Sequence, residues 1–294
     1  MEFTEFDSIL KDYTKMMILA EEYNNLLHGN DFHNLDQEHA LDLCGSDLGF
    51  VLDDDGKPRL HSANFCRKRI CPMCQWRKSQ KQFANCLKLS DLLEQHGYRF
   101  LHLVLTVPNC AEKDLKRTVS DLYKSFSKFW KYKEIQRAFK GCLRCFELTY
   151  NYDTFTFHPH LHCLIAVNKS YFNDSKVYLS YPKIQELWSK ANKSDIPLQC
   201  SVGAIKNNLG FAEVSKYCLK PLELDSSKQA ENITVLTALL YTLKGTRFIQ
   251  SYGVIKDCLR ELKDDTEPQQ EFDTEQMFVY HYNRTTKTYD RVKI

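Results

Sequence analysis

Residues 157–167, FHPHLHCLIAV, constrain this chain more than any other stretch. His158, His160 and His162 stand at alternate positions and run directly into an apolar segment. Alternate residues of a strand share a face. The segment therefore predicts a buried strand on which His160 and His162 project together while Leu161 turns into the core. Two neutral imidazoles side by side can hold a divalent metal. A carboxylate on the adjacent strand would complete a small site, and Glu147, in CFELTY, is the candidate. Its neighbours there are apolar or aromatic, so a lone acid among them needs a partner. Pro159 bends the chain next to His158, which sets that residue apart as a support for the site. An all-histidine set of His158, His160 and His162 is the alternative, and packing histidines are the bland one.

With 294 residues the chain can build more than one folded unit. It opens on MEFTEFDSILKDY, acidic and unlike a signal peptide, and no apolar run is long enough to span a bilayer. The expectation is a cytoplasmic protein without membrane contact. The 12 cysteines then read as thiols or metal ligands rather than a disulfide framework. A net charge of +2 gives no argument for nucleic acid, but its distribution does. Seven basic residues and no acid fall between Cys66 and Lys88: Arg67, Lys68, Arg69, Arg77, Lys78, Lys81 and Lys88. The stretches 31–55 and 257–275 are acid-rich. A basic patch set off in this way fits DNA or RNA binding, or equally a solvated helix face.

Periodicity predicts helices over 8–27, 73–96, 112–140, 182–192 and 209–220, with a helical patch near 233–244. RFLHLVLTVPN is a strand stopped by Pro108 and Asn109. LRCFELTYN and PHLHCLIAV are strands joined by YDTFTF, and MFVYHYNRTTKTYDRV predicts a hairpin around Asn283 and Arg284. Strands followed by helices with hairpin-like connections indicate an α+β fold with an antiparallel sheet. Three regions are expected: a helical, cysteine-rich region over 1–96, a central domain over 97–225 and a helix-plus-hairpin region over 226–294.

Cys66, Cys71 and Cys74 form C-x₄-C-x₂-C. A tetrahedral zinc ion needs four ligands, and a short C-x₂-C loop supplies two at the right bite. Cys44 is the natural fourth, with the intervening segment a loop returning to the site; His61 is the alternative. Such a structural zinc would hold the basic helix carrying Arg77, Lys78 and Lys81 against DNA. Cys142 and Cys145 have the same spacing but no second pair nearby, and read as structural.

In GFAEVSKYCLKP, 210–221, Glu213 and Tyr217 are one helical turn apart and Lys220 follows three residues later, so all three can share a face. A tyrosine hydroxyl, with a pKa of about 10, is a poor nucleophile at neutral pH. A neighbouring cation such as Lys220 or a metal would favour the phenolate, and a carboxylate one turn away could serve as general base. An ordinary surface helix with a packed tyrosine is the alternative.

FLHLVLTVPN, HPHLHCLIAV and EVSKYCLKP, in this order, resemble the three motifs of rolling-circle plasmid replication initiators. These are HUH endonucleases, and the likeness is to the single-tyrosine type. ANFCRKRICPMCQWRKSQK resembles that family's cysteine-rich segment, ELTYN continues the likeness, and together they cover roughly residues 40 to 225. The resemblance implies an HUH fold, a central antiparallel sheet flanked by helices. It implies Mg²⁺ or Mn²⁺ on Glu147, His160 and His162, and Tyr217 as the nucleophile that nicks one origin strand to leave a 3′-OH primer and a 5′-phosphotyrosyl link. Glu213 would activate water at termination, and Lys220 would contact the phosphate or stabilise the phenolate. Zinc on the cysteines is expected, with Arg67, Lys68, Arg69, Arg77, Lys78, Lys81 and His158 at DNA. The partner would be plasmid origin DNA, single-stranded or a hairpin at the nick site; a host helicase and a single-strand binding protein are implied by the family alone. His102 departs from the family's first motif, where a small or hydroxylated residue is more usual. The competing readings are a non-catalytic, zinc-dependent DNA-binding regulator and a metal-dependent hydrolase built on the three histidines.

Overall fold

The computed structural model of the protein describes residues 4–28, 41–207, 210–211, 224, 227–264 and 277–292. Its folded mass divides into two compact units. The first draws on Met1–Lys78, Pro221–Leu236 and Glu267–Ile294; the second on Ser79–Lys220 and Thr237–Thr266. The fold is mixed α and β, and every strand pairing is antiparallel.

The first unit is built on β1 (Asp47–Leu52) and β2 (Pro58–Ala63), joined by the DDDGKP turn. The segment between Cys44 and Cys66, expected as a loop, is thus a hairpin. Five consecutive polar and glycine residues, 53–57, mark the turn, but the strands either side are short and only weakly alternating. The tail forms the expected second hairpin, β8 (Phe278–Asn283) and β9 (Thr288–Val292), and β8 pairs with β1. The resulting sheet has the order β2-β1-β8-β9. Helix α1 (Thr4–His28) closes it with an aromatic cluster: Phe6 lies against Phe50, Phe278 and Tyr280, and Tyr13 against Phe50 and Tyr289. The edge-to-face pairs among these, Phe6–Phe50, Tyr13–Phe50 and Tyr13–Tyr289, add about 0.5–1.5 kcal/mol each beyond area burial.

The second unit is a five-stranded sheet of order β6-β3-β5-β4-β7. Its strands are β3 (Tyr98–Thr106), β4 (Gly141–Asn151), β5 (Thr156–Asn168), β6 (Cys200–Ile205) and β7 (Ile249–Tyr252). The histidine strand, β5, is its centre and is buried from Pro159 through Val167. Register sets the faces. Across β3, β5 and β4 the rows run Phe100–Ala166–Gly141, His102–Leu164–Leu143, Val104–His162–Cys145 and Thr106–His160–Glu147. The apolar end of this face packs on Cys86, Leu89 and Leu93 of α2 (Pro72–Gln95), on Phe211, and on Ile255 and Cys258 of the final helix (Gly253–Asp264). The opposite face is covered by α3 (Glu112–Trp130), whose Leu115, Val119, Leu122, Phe126 and Phe129 are buried, and by α5 (Tyr181–Asn192). The short α4 (Lys133–Ala138) splits what reads in sequence as one helix over 112–140. Trp188 of α5 stands edge-on to Phe129 at 5.8 Å and donates its indole N–H to the Thr106 carbonyl at 2.7 Å.

The helical patch near 233–244 is α6 (Gln229–Thr237), continuing as a π-helical turn over Ala238–Thr242. The final helix, α7 (Gly253–Asp264), begins where two glycines meet. Gly253 has φ +54°, and a Cβ there would stand 2.1 Å from the Lys140 carbonyl oxygen. A Cβ on Gly141 would stand 2.7 Å from the Ile255 nitrogen. Only glycine lets α7 begin this close to β4, where the Val254 N–H bonds the same Lys140 carbonyl at 3.0 Å.

Candidate functional site

Register alone puts Glu147 directly across from His160. Their side chains meet: Nε2 of His160 lies 2.7 Å, and Nε2 of His162 2.6 Å, from one oxygen of Glu147, Oε2. Both histidines are buried, and the carboxylate is 18% exposed, so the cluster opens to solvent at the carboxylate.

The far side of each imidazole explains the geometry. Nδ1 of His160 lies 3.1 Å from the His158 carbonyl oxygen, an acceptor only, so that nitrogen carries the proton. Nδ1 of His162 lies 2.9 Å from Nε2 of His102. With Nδ1 protonated, Nε2 of His160 presents a lone pair to the carboxylate, and Nε2 of His162 does the same when His102 is the acceptor of their bond. Three electron-rich atoms converging in this way repel one another unless a proton or a cation lies among them. A proton at Nε2 of either ring would serve: such hydrogen bonds outweigh burial, which alone would raise the Glu147 carboxyl, and hold it at about 2. Burial, reinforced by the neighbouring His162, lowers His102 to about 4, so it stays neutral and can accept. The donor set fits a hard or borderline divalent cation. Ligands about 2.1 Å from an octahedral ion stand about 3.0 Å apart, so loading would open the cluster by a few tenths of an ångström.

His158 lies outside this trio. Its ring stacks loosely on His160 with centroids 5.0 Å apart, and its contribution to the cluster is the backbone carbonyl. His102, the departure from the family's first motif, is on the site face, against His162. The signal was present in the alternation of His102, Val104 and Thr106, but it could be read only once the pairing with β5 was known. Glu213, Tyr217 and Lys220 lie outside the described residues.

In the first unit the structure gathers Cys44, Cys66, Cys71 and Cys74. Cys44 precedes β1, Cys66 follows β2, and Cys71 and Cys74 bracket the start of α2. The sulfurs of Cys44 and Cys74 are 3.5 Å apart, of Cys66 and Cys74 3.8 Å, and of Cys71 and Cys44 3.4 Å. These separations are far too long for disulfides. They match the edge of a tetrahedron with sulfur about 2.3 Å from its centre, which is about 3.8 Å. Backbone N–H groups of Cys66, Arg67, Lys68 and Cys74 point at the sulfurs of Cys44, Cys74, Cys66 and Cys71, at 3.2–3.5 Å. Such donors suit thiolates. Gly45, at φ +79°, turns the chain immediately after Cys44. His61 is exposed on β2 and does not join the cluster. Arg67 adopts φ +57° between the cysteines and is exposed, as are Lys78 and Lys81; Lys68, Arg69 and Arg77 are half-buried. The Arg77 guanidinium lies over the rings of Tyr13 and Phe65, at 5.7 and 5.9 Å, so it packs the unit as well as charging it. Cys142 is buried in β4 beside Cys163, and Cys145 is buried on the sheet's other face.

A family model described as "Replication protein" matches residues 57–289, most of the chain. The chain belongs to the Rep family of plasmid replication initiators. A "Protein rep" of Lentilactobacillus hilgardii is 31% identical over 78% of this chain and 76% of its own length. Others so named, from Streptococcus pneumoniae and Lactiplantibacillus plantarum, are 32% and 34% identical, each over 76% of this chain and 71% and 74% of their own. No solved structure matches the fold to a significant degree. The span matched to the Rep family contains Glu147, His160, His162, Cys66, Cys71 and Cys74, and also Glu213, Tyr217 and Lys220. Cys44 precedes it. No helix among the described residues is long and apolar enough to cross a membrane.

Proposed function

We propose that this Rep chain is a metal-dependent, site-specific DNA nickase and strand transferase that starts rolling-circle replication of a plasmid, and that its five-stranded sheet is an HUH endonuclease fold. The observation that carries the reading is the convergence of two imidazole Nε2 atoms on one carboxylate oxygen in a member of the Rep family. Mg²⁺ or Mn²⁺ held by Glu147, His160 and His162 would polarise the scissile phosphate and offset charge in the transition state. Tyr217 attacks the phosphorus, and the phosphorus–O3′ bond breaks. The leaving oxygen takes a proton to become the 3′-OH primer, and the 5′ end stays on the tyrosine. The phosphodiester energy is conserved, so the strand can be rejoined. Lys220 favours the phenolate, and Glu213 activates the water that ends the cycle. Zn²⁺ on Cys44, Cys66, Cys71 and Cys74 is structural. It fixes the turn that bears Arg67, Lys68 and Arg69 and the start of the helix that bears Arg77, Lys78 and Lys81, for contact with origin phosphates.

The origin is engaged as a single strand or extruded hairpin, because the scissile phosphate must reach a recessed cluster on a sheet face. Helicase and single-strand binding protein follow in the same process. The test is conversion of supercoiled plasmid carrying the cognate origin to open circles. The expected result is single-strand nicking that requires Mg²⁺ or Mn²⁺ and leaves an origin-free plasmid supercoiled. Origin binding without any nicking at saturating Mn²⁺ would favour the zinc-dependent regulator instead.

His102 is a positioning residue in this scheme, since it accepts the His162 Nδ1 proton and so aims Nε2 at the cation. His102→Leu removes the acceptor and should weaken Mn²⁺ binding by about 10- to 100-fold. His102→Gln, which keeps an acceptor oxygen, should stay within a few-fold. Isothermal titration with Mn²⁺ separates the two; equal affinity for both variants and the native chain would remove His102 from the account.

A further inference from the structure

Among the described residues a third group of metal-ligating side chains lies in the second unit, away from the Glu147 cluster: His96, Cys258 and Glu261. No motif announces it, for His96 and Cys258 are 162 residues apart. His96 follows the last turn of α2, where Gly97, at φ +85°, ends the helix. Cys258 and Glu261 are one turn apart on α7 and therefore share a face.

We propose that these three residues form a second thiolate-containing metal site, one that takes a borderline divalent cation of the zinc class and ties the end of α2 to α7. The Cys258 sulfur lies 3.7 Å from Nδ1 of His96. Zinc bonds of about 2.3 Å to sulfur and about 2.0–2.1 Å to nitrogen, at the tetrahedral angle, put those two atoms about 3.5–3.6 Å apart. A weak thiol–imidazole hydrogen bond could also have that length. The third residue adds a ligand to the pair, because a Glu261 carboxylate oxygen lies within 4.8 Å of both other ligand atoms. A cation among them would draw on all three.

The donors differ in kind from those of the Glu147 cluster. A thiolate selects zinc-like ions over Mg²⁺ or Mn²⁺, so the two sites would load independently. Cys258 is 4% exposed while His96 and Glu261 are exposed. The cation would thus sit at the rim of the core with its fourth position open to water. Burial, with Glu261 and Asp257 nearby, keeps the thiol protonated without metal, so binding releases that proton to solvent. The inference does not depend on the nickase reading.

The test is cobalt titration of the full chain with its four-cysteine cluster already filled with zinc. The expected result is one further equivalent of Co²⁺ that develops a sulfur-to-cobalt charge-transfer band, which His160 and His162 cannot produce. The band should vanish in Cys258→Ala. It should require at least tenfold more cobalt in His96→Ala, an exposed change that leaves the core intact, with unaltered circular dichroism. Absence of a thiolate band in the native chain, or a band that persists unchanged in both variants, would overturn the proposal.

Discussion

Replacing His160 with alanine should lower origin nicking by about 10³-fold or more while leaving origin binding within a few-fold. His160 supplies one of three convergent ligand atoms, and its Nδ1 proton is already committed to the His158 carbonyl. Its removal leaves Glu147 and His162 as a two-point site. The metal's contribution to transition-state charge is several kcal/mol, and about 4 kcal/mol corresponds to a thousandfold in rate. Binding, assigned in the proposal to basic side chains elsewhere, should be spared. The comparison needs only a gel-shift titration and single-turnover nicking at matched saturation. A variant that nicks within tenfold of the native rate would show that the His160–Glu147–His162 cluster is not where the chemistry occurs.

The second large effect falls on the cysteine cluster. Cys71 is fully buried, with its sulfur 3.4 Å from that of Cys44. On the zinc reading proposed above, Cys71→Ser should release the ion and destabilise the first unit by several kcal/mol, since metal binding at structural sites is folding free energy, about 10–16 kcal/mol in isolated zinc-finger peptides. The β1–β2 hairpin is anchored at both ends by cluster residues, Cys44 before it and Cys66 after it. Loss of metal should therefore expose the DDDGKP turn and its flanking strands to limited proteolysis. Zinc content by atomic emission, taken with the protease pattern, reads both effects. Unchanged zinc content and an unchanged pattern would mean that the four sulfurs are reduced core thiols.

Much of the candidate site could be read in the sequence because period-2 alternation is a strong signal on a buried strand. His160 and His162 announce a shared face, and an acid among apolar neighbours announces a partner, so Glu147 follows. The four cysteines were legible for a similar reason, since three lie within nine positions. What escaped depended on long-range pairing. Strands β6 and β7 are short, β7 has only four residues, and neither alternates cleanly. The pairing of β1 with β8 joins residues more than 220 apart in the chain, a contact that no local pattern encodes. The same holds for His102, whose place is set by register, and for His96 with Cys258. Helix α7 was missed altogether, and the two glycines that let it start against β4, Gly141 and Gly253, lie far apart and act through backbone proximity.

The central claim is that a tyrosine of this chain becomes covalently joined to DNA. The most direct measurement incubates the purified protein and Mn²⁺ with single-stranded oligonucleotides tiled across the cognate origin, resolved on a denaturing gel beside Tyr217→Phe. A protein–DNA band should form with one oligonucleotide, be lost on chelation and be absent from the variant. A band of undiminished intensity with Tyr217→Phe, or cleavage of the strand without any adduct, would contradict the claim.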